Sequence, residues 1–259
     1  MSWKKSRYKK KKSTLAGFLP LIVIAGVYAF TSFLEKKSST PPTYSFTMPW
    51  PTPLSSEEEN SISENLTQKN YYIILDGSGS MRERRCSGNQ TKEEVAKEAV
   101  ADFTTKIEAS ANIGLLIFDR YGTSERVPLG VDNREQIMQA LGKSSALEGT
   151  PLHSAIRLGI GKLGSQARKQ LGYGEYHLVI VTDGEASNQE DPSAVVNFAY
   201  TKTPVNIHTV GFCIELDHSL NQEGKTFYKS AKDRSSLNKG LEDVLAEAEE
   251  FNIDDFENL

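Results

Sequence analysis

The chain has 259 residues, of which 38% are hydrophobic and 25% are charged, a balance typical of a globular protein with polar extensions. This length favours one domain of moderate size. Seven Lys and Arg residues precede the first acidic residue, Glu35; without them, 23 basic residues oppose 34 acidic ones. The resulting charge of about −11 on the rest of the chain argues against nucleic acid as a partner.

The N-terminal region combines a basic segment with a long apolar one. Residues 1–14 are basic, and residues 15–34 carry no charged side chain, which matches the roughly 20 apolar residues that a helix needs to cross a bilayer. A cleaved signal peptide is the alternative, but its apolar core is usually shorter and ends in a small-x-small site, which is not obvious here. We therefore predict a single-pass transmembrane helix. The basic segment predicts a cytoplasmic N-terminus, with the remaining chain on the outer face of the cell membrane.

Residues 35–69 are rich in Ser, Thr, Pro and Glu, with five prolines between positions 41 and 53. This composition predicts an extended, disordered linker, because it cannot bury enough apolar surface to fold alone. We expect Phe46 and Trp50 to be exposed residues of this stalk. At the other end of the chain, residues 251–259 form an acidic tail that we expect to be frayed and solvated.

Between residues 70 and 250, short apolar runs alternate with amphipathic segments. Thr91 and Glu94 form a capping box for the first helix, and Asp132 and Glu135 are expected to cap the second. Strands that are apolar on both faces require helices on both sides of the sheet. The pattern predicts a doubly wound α/β domain with a mostly parallel sheet, whose main strands would be Tyr71–Asp76, Ile113–Asp119, Tyr176–Asp183 and Val205–Phe212.

The first predicted strand ends at Asp76, and Ser78 and Ser80 follow it with glycines between them. The three side chains supply oxygen at every second position, and the glycines permit a tight turn. Oxygen ligands of this kind suit Mg²⁺, Mn²⁺ or Ca²⁺ rather than zinc or copper. The alternative is an Asp-Gly turn whose small polar residues serve only its geometry.

A second apolar strand also ends in an aspartate, Asp183. In a doubly wound sheet, ligands bind beyond the carboxyl ends of the strands, where the winding direction reverses. Neighbouring strands lie about 4.8 Å apart, so Asp76 and Asp183 could flank one cation. Thr150, at the start of a predicted helix, could add a hydroxyl from a third loop.

The sequences Asp76-Gly77-Ser78-Gly79-Ser80, Gly149-Thr150-Pro151-Leu152 and Thr182-Asp183-Gly184-Glu185 occur in this order. Together they resemble the von Willebrand factor A-type domain over nearly the whole segment from 70 to 250. The resemblance implies a metal-ion-dependent adhesion site, with Ser78, Ser80 and Thr150 as hydroxyl ligands. It also implies that Asp76 and Asp183 contact the ion directly or through water.

A site built largely from neutral hydroxyls would leave the charge of the ion under-compensated. A Glu or Asp carboxylate of a protein partner could then fill an open coordination position. Arg82, Arg84 and Arg85 follow Ser80 and could steer such an acidic partner to the rim, although a solvated surface loop explains them equally well.

The two cysteines, Cys86 and Cys213, fit an oxidising compartment and could form one disulfide, since both follow predicted strands. Two separately buried thiols are the alternative. His153 and His177 are expected to be structural, because one opens an apolar helix and the other an apolar strand. His208 and His218 have no Cys or His partner at metal-binding spacing.

Three functions follow from these observations. The first is a membrane-anchored, non-enzymatic binding module that recognises an acidic residue of a protein partner through the cation. The second is a scaffold or envelope-assembly component with a purely structural metal. The third is a phosphoryl-transfer enzyme that uses Asp76, but Ser78 replaces the second acidic residue expected there and no catalytic Lys is evident.

Overall fold

The computed structural model describes residues 46–51, 62–147, 149–214 and 216–249. In this part of the chain, six strands form one sheet in the order β3-β2-β1-β4-β5-β6, and only the edge strand β3 runs antiparallel to its neighbour. The predicted α/β fold with a mostly parallel sheet is confirmed. The strands are β1 (Lys69–Asp76), β2 (Asn112–Asp119), β3 (Gly122–Gly130), β4 (Glu175–Thr182), β5 (Val205–Phe212) and β6 (Phe227–Ala231).

Helices cover both faces of the sheet. Tyr71, Ile73 and Leu75 of β1 pack on one face, and Tyr72 and Ile74 pack on the other. The strand is therefore apolar at successive positions because each face has its own core. The first face is covered by α1 (Lys92–Lys106), α2 (Arg134–Lys143) and α5 (Arg234–Glu249), and the second by α3 (Leu152–Lys169) and α4 (Ser193–Lys202).

The helix caps agree with the sequence in one case and differ in another. Thr91 and Glu94 form the expected capping box at the start of α1. The prediction that Asp132 caps α2 is wrong, because the N-cap residue is Asn133. The Asn133 amide instead donates hydrogen bonds to the carbonyls of Ile113 and Pro128, at 2.9 and 2.7 Å.

The segment 46–51 lies against the domain, so the expectation that Phe46 and Trp50 are exposed stalk residues is wrong. Phe46 meets Phe198 edge to face, with ring centroids 5.4 Å apart, and Trp50 meets Tyr176 at 5.9 Å. Aromatic pairs in this arrangement stabilise beyond the area that they bury. The aromatic residues thus give the segment the apolar contacts that its overall composition did not predict.

Several predictions concern residues outside the described ranges: the basic segment 1–14, the transmembrane helix 15–34 and the acidic tail 251–259. Within the described ranges, no helix has the length and apolar character to cross a membrane.

A disulfide joins Cys86, in the long connection between β1 and α1, to Cys213, directly after β5. Their Cα atoms lie 5.8 Å apart and 127 residues separate them in sequence. Closing so long a loop stabilises the fold by about 4–5 kcal/mol in the chain-entropy account. The bridge also fixes the connection after β1 at the carboxyl end of the sheet.

Two of the four histidines form a buried pair near the opposite end of the sheet. His177 Nδ1 lies 3.2 Å from His208 Nε2, and both residues are 3% exposed. Glu175 lies 3.6 Å from His177, and Glu247 lies 3.3 Å from His208. Burial, followed by the proximity of His177, lowers the pKa of His208 to about 3. The structural role expected for His177 therefore includes a contact with His208 on the neighbouring strand.

The low pKa of His208 predicts a loss of stability in acid. Below pH 6.5 the unfolded chain takes up a proton that the folded domain excludes until about pH 3. Relative to a His208→Gln variant, the wild-type free energy of unfolding should fall by about 1.4 kcal/mol per pH unit in this window. Urea unfolding at several pH values measures this difference.

Thr209, the buried neighbour of His208 in β5, supplies the matched control, since a Thr209→Val variant removes no titratable group and should keep the wild-type pH slope. Other titrating groups, Asp76 among them, contribute equally to all three proteins and cancel in the comparison. Equal slopes for wild type and His208→Gln would show instead that Glu247 holds His208 protonated in the folded domain.

Candidate metal centre

The predicted site lies at the carboxyl ends of two adjacent central strands. Asp76 is the last residue of β1, Asp183 directly follows β4, and the two strands pair in parallel. Strands β2 and β4 flank β1 on opposite sides, so the winding direction reverses here. This switch point is where open α/β sheets bind ligands. Asp76 and Asp183 are both buried, at 0% and 7% exposure.

The loop after β1 turns tightly over the end of β2. The Gly77 amide donates a 2.8 Å hydrogen bond to the Phe118 carbonyl, and a Cβ atom at Gly77 would lie 2.7 Å from that oxygen. Only glycine fits this close approach. The turn continues with the Ser78 amide donating to Asp76 Oδ1 at 2.7 Å, and it places the Ser78 and Ser80 hydroxyl oxygens 3.0 Å apart.

The loops after β1 and β4 are joined by side-chain hydrogen bonds. Ser80 Oγ donates to Asp183 Oδ1 at 2.6 Å. Thr182, which the sequence reasoning did not single out, donates from Oγ1 to Asp76 Oδ2 at 2.5 Å. Asp183 is therefore oriented by a hydroxyl from the loop after β1, and Asp76 by a hydroxyl from the last residue of β4.

Thr150 approaches the same space from the loop before α3. Its amide donates to Ser187 Oγ at 2.8 Å, and its carbonyl accepts from the Ser187 amide at 3.0 Å. A Cβ atom added at Gly184 would lie 3.5 Å from Ser80 Oγ and 3.7 Å from Thr150 Oγ1. The hydroxyls of Ser80 and Thr150 thus border one small volume beside Gly184.

The surroundings of Asp76 disfavour the charged form of its carboxyl group. Burial and, to a lesser extent, the nearby charge of Asp183 raise the pKa of Asp76 to about 6, against hydrogen bonds from Ser78 and Thr182 that lower it. A buried carboxylate in this state is stabilised by a cation.

The residues fit a hard divalent cation through their hydroxyl groups. Two adjacent ligands of an octahedral Mg²⁺ ion lie about 2.9 Å apart, close to the 3.0 Å between the Ser78 and Ser80 hydroxyls. Elsewhere in the described ranges, as here, no group of three or more His, Cys, Asp or Glu side chains is placed to hold a metal. A metal at this site would therefore depend on Ser and Thr oxygens as well as on the two aspartates.

Lys92 reaches the site without having been predicted. It is the first residue of α1 and is 1% exposed. Its ammonium group lies 2.7 Å from Asp183 Oδ2 and 3.0 Å from Glu83 Oε2. A Lys at a helix start is usually a solvated residue, so nothing in its sequence position indicates this contact.

The three arginines after Ser80 are exposed and differ in their contacts. Arg82 Nε donates to the Ala146 carbonyl at 3.1 Å, and Arg85 Nη2 donates to the Cys213 carbonyl at 3.1 Å. Arg82 and Arg85 thus hydrogen-bond to neighbouring loops at the carboxyl end of the sheet, whereas Arg84 lies exposed beside them. All three place positive charge at the carboxyl end of the sheet.

His218 supports the loop after β4. It is 6% exposed, and its Nε2 atom lies 3.0 Å from the Gly184 carbonyl. The sequence shows no Cys or His partner for His218 at metal-binding spacing, and nothing in that spacing indicates a contact with the site.

Part of this chain is similar in sequence to a known family of domains. Residues 71–185 match the sequence profile of the family described as von Willebrand factor type A domain. A comparison with curated proteins gave no significant match.

Several solved structures share the fold at low identity. BatB, a conserved hypothetical protein from Bacteroides thetaiotaomicron, is 15% identical and has a TM-score of 0.51, covering 69% of this chain and 99% of that one. The pilus adhesin SpaC from Lactobacillus rhamnosus GG is 14% identical, with a TM-score of 0.54 and coverage of 72% and 31%. The manganese-loaded TRAP protein of Plasmodium vivax is 16% identical, with a TM-score of 0.52 and coverage of 68% and 73%.

The sequence match covers the part of the chain that holds the candidate site. The profile begins at Tyr71, the third residue of the Lys69–Asp76 strand, and ends just beyond Asp183, so it includes all three loops of the site. Residues 71–185 of this chain are therefore similar to the von Willebrand factor type A domain.

Proposed function

We propose that this domain binds a protein partner through a divalent cation, Mg²⁺ or else Mn²⁺ or Ca²⁺, that an acidic residue of the partner completes. Domains of this family are modules for protein interaction or adhesion. The observation that carries the proposal is the meeting of the Ser78 and Ser80 hydroxyls with the buried Asp76 and Asp183 carboxylates at the switch point.

The ligand chemistry explains why a partner's carboxylate would be needed. Ser78, Ser80 and Thr150 would hold the ion through neutral oxygens, so they would orient it without cancelling its charge. When bound, the ion would supply a Lewis-acidic position for an anionic ligand. The exposed arginines at positions 82, 84 and 85 would attract the same negatively charged partner.

Two structures of the same fold agree with this proposal. The TRAP protein of Plasmodium vivax was manganese-loaded, and SpaC of Lactobacillus rhamnosus GG is a pilus adhesin. At 14–16% identity they show the fold alone, so the argument rests on the residues of this chain.

The proposal extends to the location of the domain. The apolar segment 15–34 would anchor the chain in the cell membrane, and the basic segment 1–14 would keep the N-terminus in the cytoplasm. The domain would then face the outside. The disulfide between Cys86 and Cys213 supports this placement, since disulfides persist mainly in oxidising compartments.

Phosphoryl transfer through Asp76 receives no support from the geometry. Asp76 is 0% exposed, and its two oxygens accept hydrogen bonds from the Ser78 amide and the Thr182 hydroxyl. A nucleophile needs a free oxygen that faces its substrate. A scaffold role with a purely structural metal remains the second candidate, and the partner experiment below separates it from the proposed function.

Metal binding should depend on the hydroxyl ligands. At roughly 100-fold excess over its Kd, a bound ion stabilises the folded state by about 2.7 kcal/mol, which raises Tm by roughly 5–10 °C in a domain of this size. Thermal unfolding with and without Mg²⁺ or Mn²⁺ should show this shift for wild type. Ser80→Ala and Thr150→Val should each lose most of it.

Hydroxyls outside the site provide matched controls. Ser144 is partly buried and donates to the Leu141 carbonyl, while Thr104 is fully buried and donates to the Ala101 carbonyl. Ser144→Ala and Thr104→Val should keep the full metal-induced shift despite lower Tm values. An equal shift in all five proteins would contradict a metal site at these loops.

Partner binding should require both the cation and the site. The protein, immobilised and exposed to detergent-solubilised membranes of its source cells, should retain a protein in Mg²⁺ and release it in chelator. Ser80→Ala should fail to retain it, and Ser144→Ala should behave as wild type. Replacement of one Glu or Asp of the retained protein by its amide should abolish binding.

The scaffold hypothesis predicts a different result. A partner retained equally in chelator, and by Ser80→Ala, would show that the ion is structural and that recognition occurs elsewhere.

A further inference from the structure

Lys92 is a buried cation inside a site that is expected to hold another cation. Its ammonium group lies 2.7 Å from Asp183 Oδ2, and its side chain is 2% exposed. The other oxygen of the same carboxylate accepts the Ser80 hydroxyl at 2.6 Å. Asp183 is therefore fully engaged, with its charge balanced by a neighbour from α1.

The position of Lys92 is built by the local structure. The capping box of Thr91 and Glu94 fixes the first turn of α1, and the Lys92 amide donates to the Glu83 carbonyl at 2.8 Å. These bonds tie the start of the helix to the loop that follows Ser80. The fixed backbone at the start of α1 therefore places the Lys92 ammonium group beside Asp183.

The charges of the site define what Lys92 does. Asp76 and Asp183 carry at most two negative charges and Lys92 offsets one of them, so a site loaded with a divalent ion keeps a net positive charge of at least one. Glu83 also contacts Lys92, but its side chain is 58% exposed, and water screens such a pair strongly. The excess charge is therefore met most effectively by an anion that arrives from outside.

We propose that Lys92 is a positioning residue that weakens the affinity of the site for a cation alone and makes the cation and an incoming carboxylate bind cooperatively. This inference rests on the proposed function. The ammonium group of Lys92 and the ion are both positive and both lie beside Asp183, so they repel each other. The partner's carboxylate reduces that repulsion by adding a negative charge. By linkage, each of the two ligands then strengthens the binding of the other.

The test measures Mn²⁺ binding by electron paramagnetic resonance, with acetate as a simple carboxylate probe. The Lys92→Met variant should bind Mn²⁺ at least about tenfold more tightly than wild type in chloride buffer, because removal of the buried positive charge leaves Asp183 free to interact with the ion. Acetate at equal ionic strength should tighten Mn²⁺ binding to wild type more than to Lys92→Met. Lys92→Arg should restore the wild-type behaviour.

A matched lysine separates this role from simple stabilisation. Lys97 lies in the same helix, is 20% exposed at its side chain and pairs with Glu93 at 2.7 Å. Lys97→Met should leave Mn²⁺ affinity and the acetate effect unchanged. The metal-free Lys92→Met protein should unfold at lower temperature than wild type, so a purely structural role predicts lower stability with unchanged or weaker Mn²⁺ binding.

If Lys92→Met does not fold, Lys92→Gln, which keeps a hydrogen-bond donor, has the same expected result.

The outcomes distinguish this inference from the function on which it rests. Wild type and Lys92→Met that bind Mn²⁺ equally, with equal acetate effects, would overturn the role of Lys92 and leave the metal site intact. No Mn²⁺ binding by either protein would overturn both. Binding by Lys92→Met alone would support the inference in its strongest form, in which Lys92 excludes the ion until a carboxylate arrives.

Discussion

The burial of two carboxylates side by side is the constraint on which the carboxyl end of this domain depends. Asp76 and Asp183 end adjacent parallel strands and are removed from water, so each needs compensation from its surroundings. The protein supplies hydroxyls from Ser80 and Thr182 and the ammonium group of Lys92. These groups orient both aspartates, but they do not fully offset the burial of Asp76, whose pKa is raised to about 6.

This arrangement links the fold to the proposed chemistry. The parallel sheet brings the loops after β1 and β4 together, and the helix start at Thr91 brings Lys92 to the same place. A site with two charged and several neutral oxygens holds a hard cation without neutralising it once Lys92 is present. Under the proposed function, such a loaded site would favour an external carboxylate. The disulfide between Cys86 and Cys213 and the bonds from Arg82 and Arg85 hold the surrounding loops in place.

The sequence predicts the parts of this structure that depend on local patterns. Apolar runs that end in Asp76 and Asp183 indicate central strands, and the Thr91–Glu94 capping box indicates the start of α1. The parts that it does not predict depend on long-range placement. Lys92 resembles any solvated residue at a helix start until the fold brings Asp183 to it, and the contact between His177 and His208 depends on the register of β4 and β5. The docking of Phe46 and Trp50 follows from two aromatic side chains in a segment whose average composition favours disorder.

The central claim is that one divalent cation occupies the space shared by the loops after β1 and β4 and before α3. Anomalous diffraction at the manganese edge, from crystals of the domain grown with Mn²⁺, tests it most directly. One strong peak is expected within bonding distance of Ser78 Oγ and Ser80 Oγ, beside Thr150 and Asp183. Saturating Mn²⁺ with no peak there, and with the Ser80 hydroxyl still donating to Asp183, would contradict it.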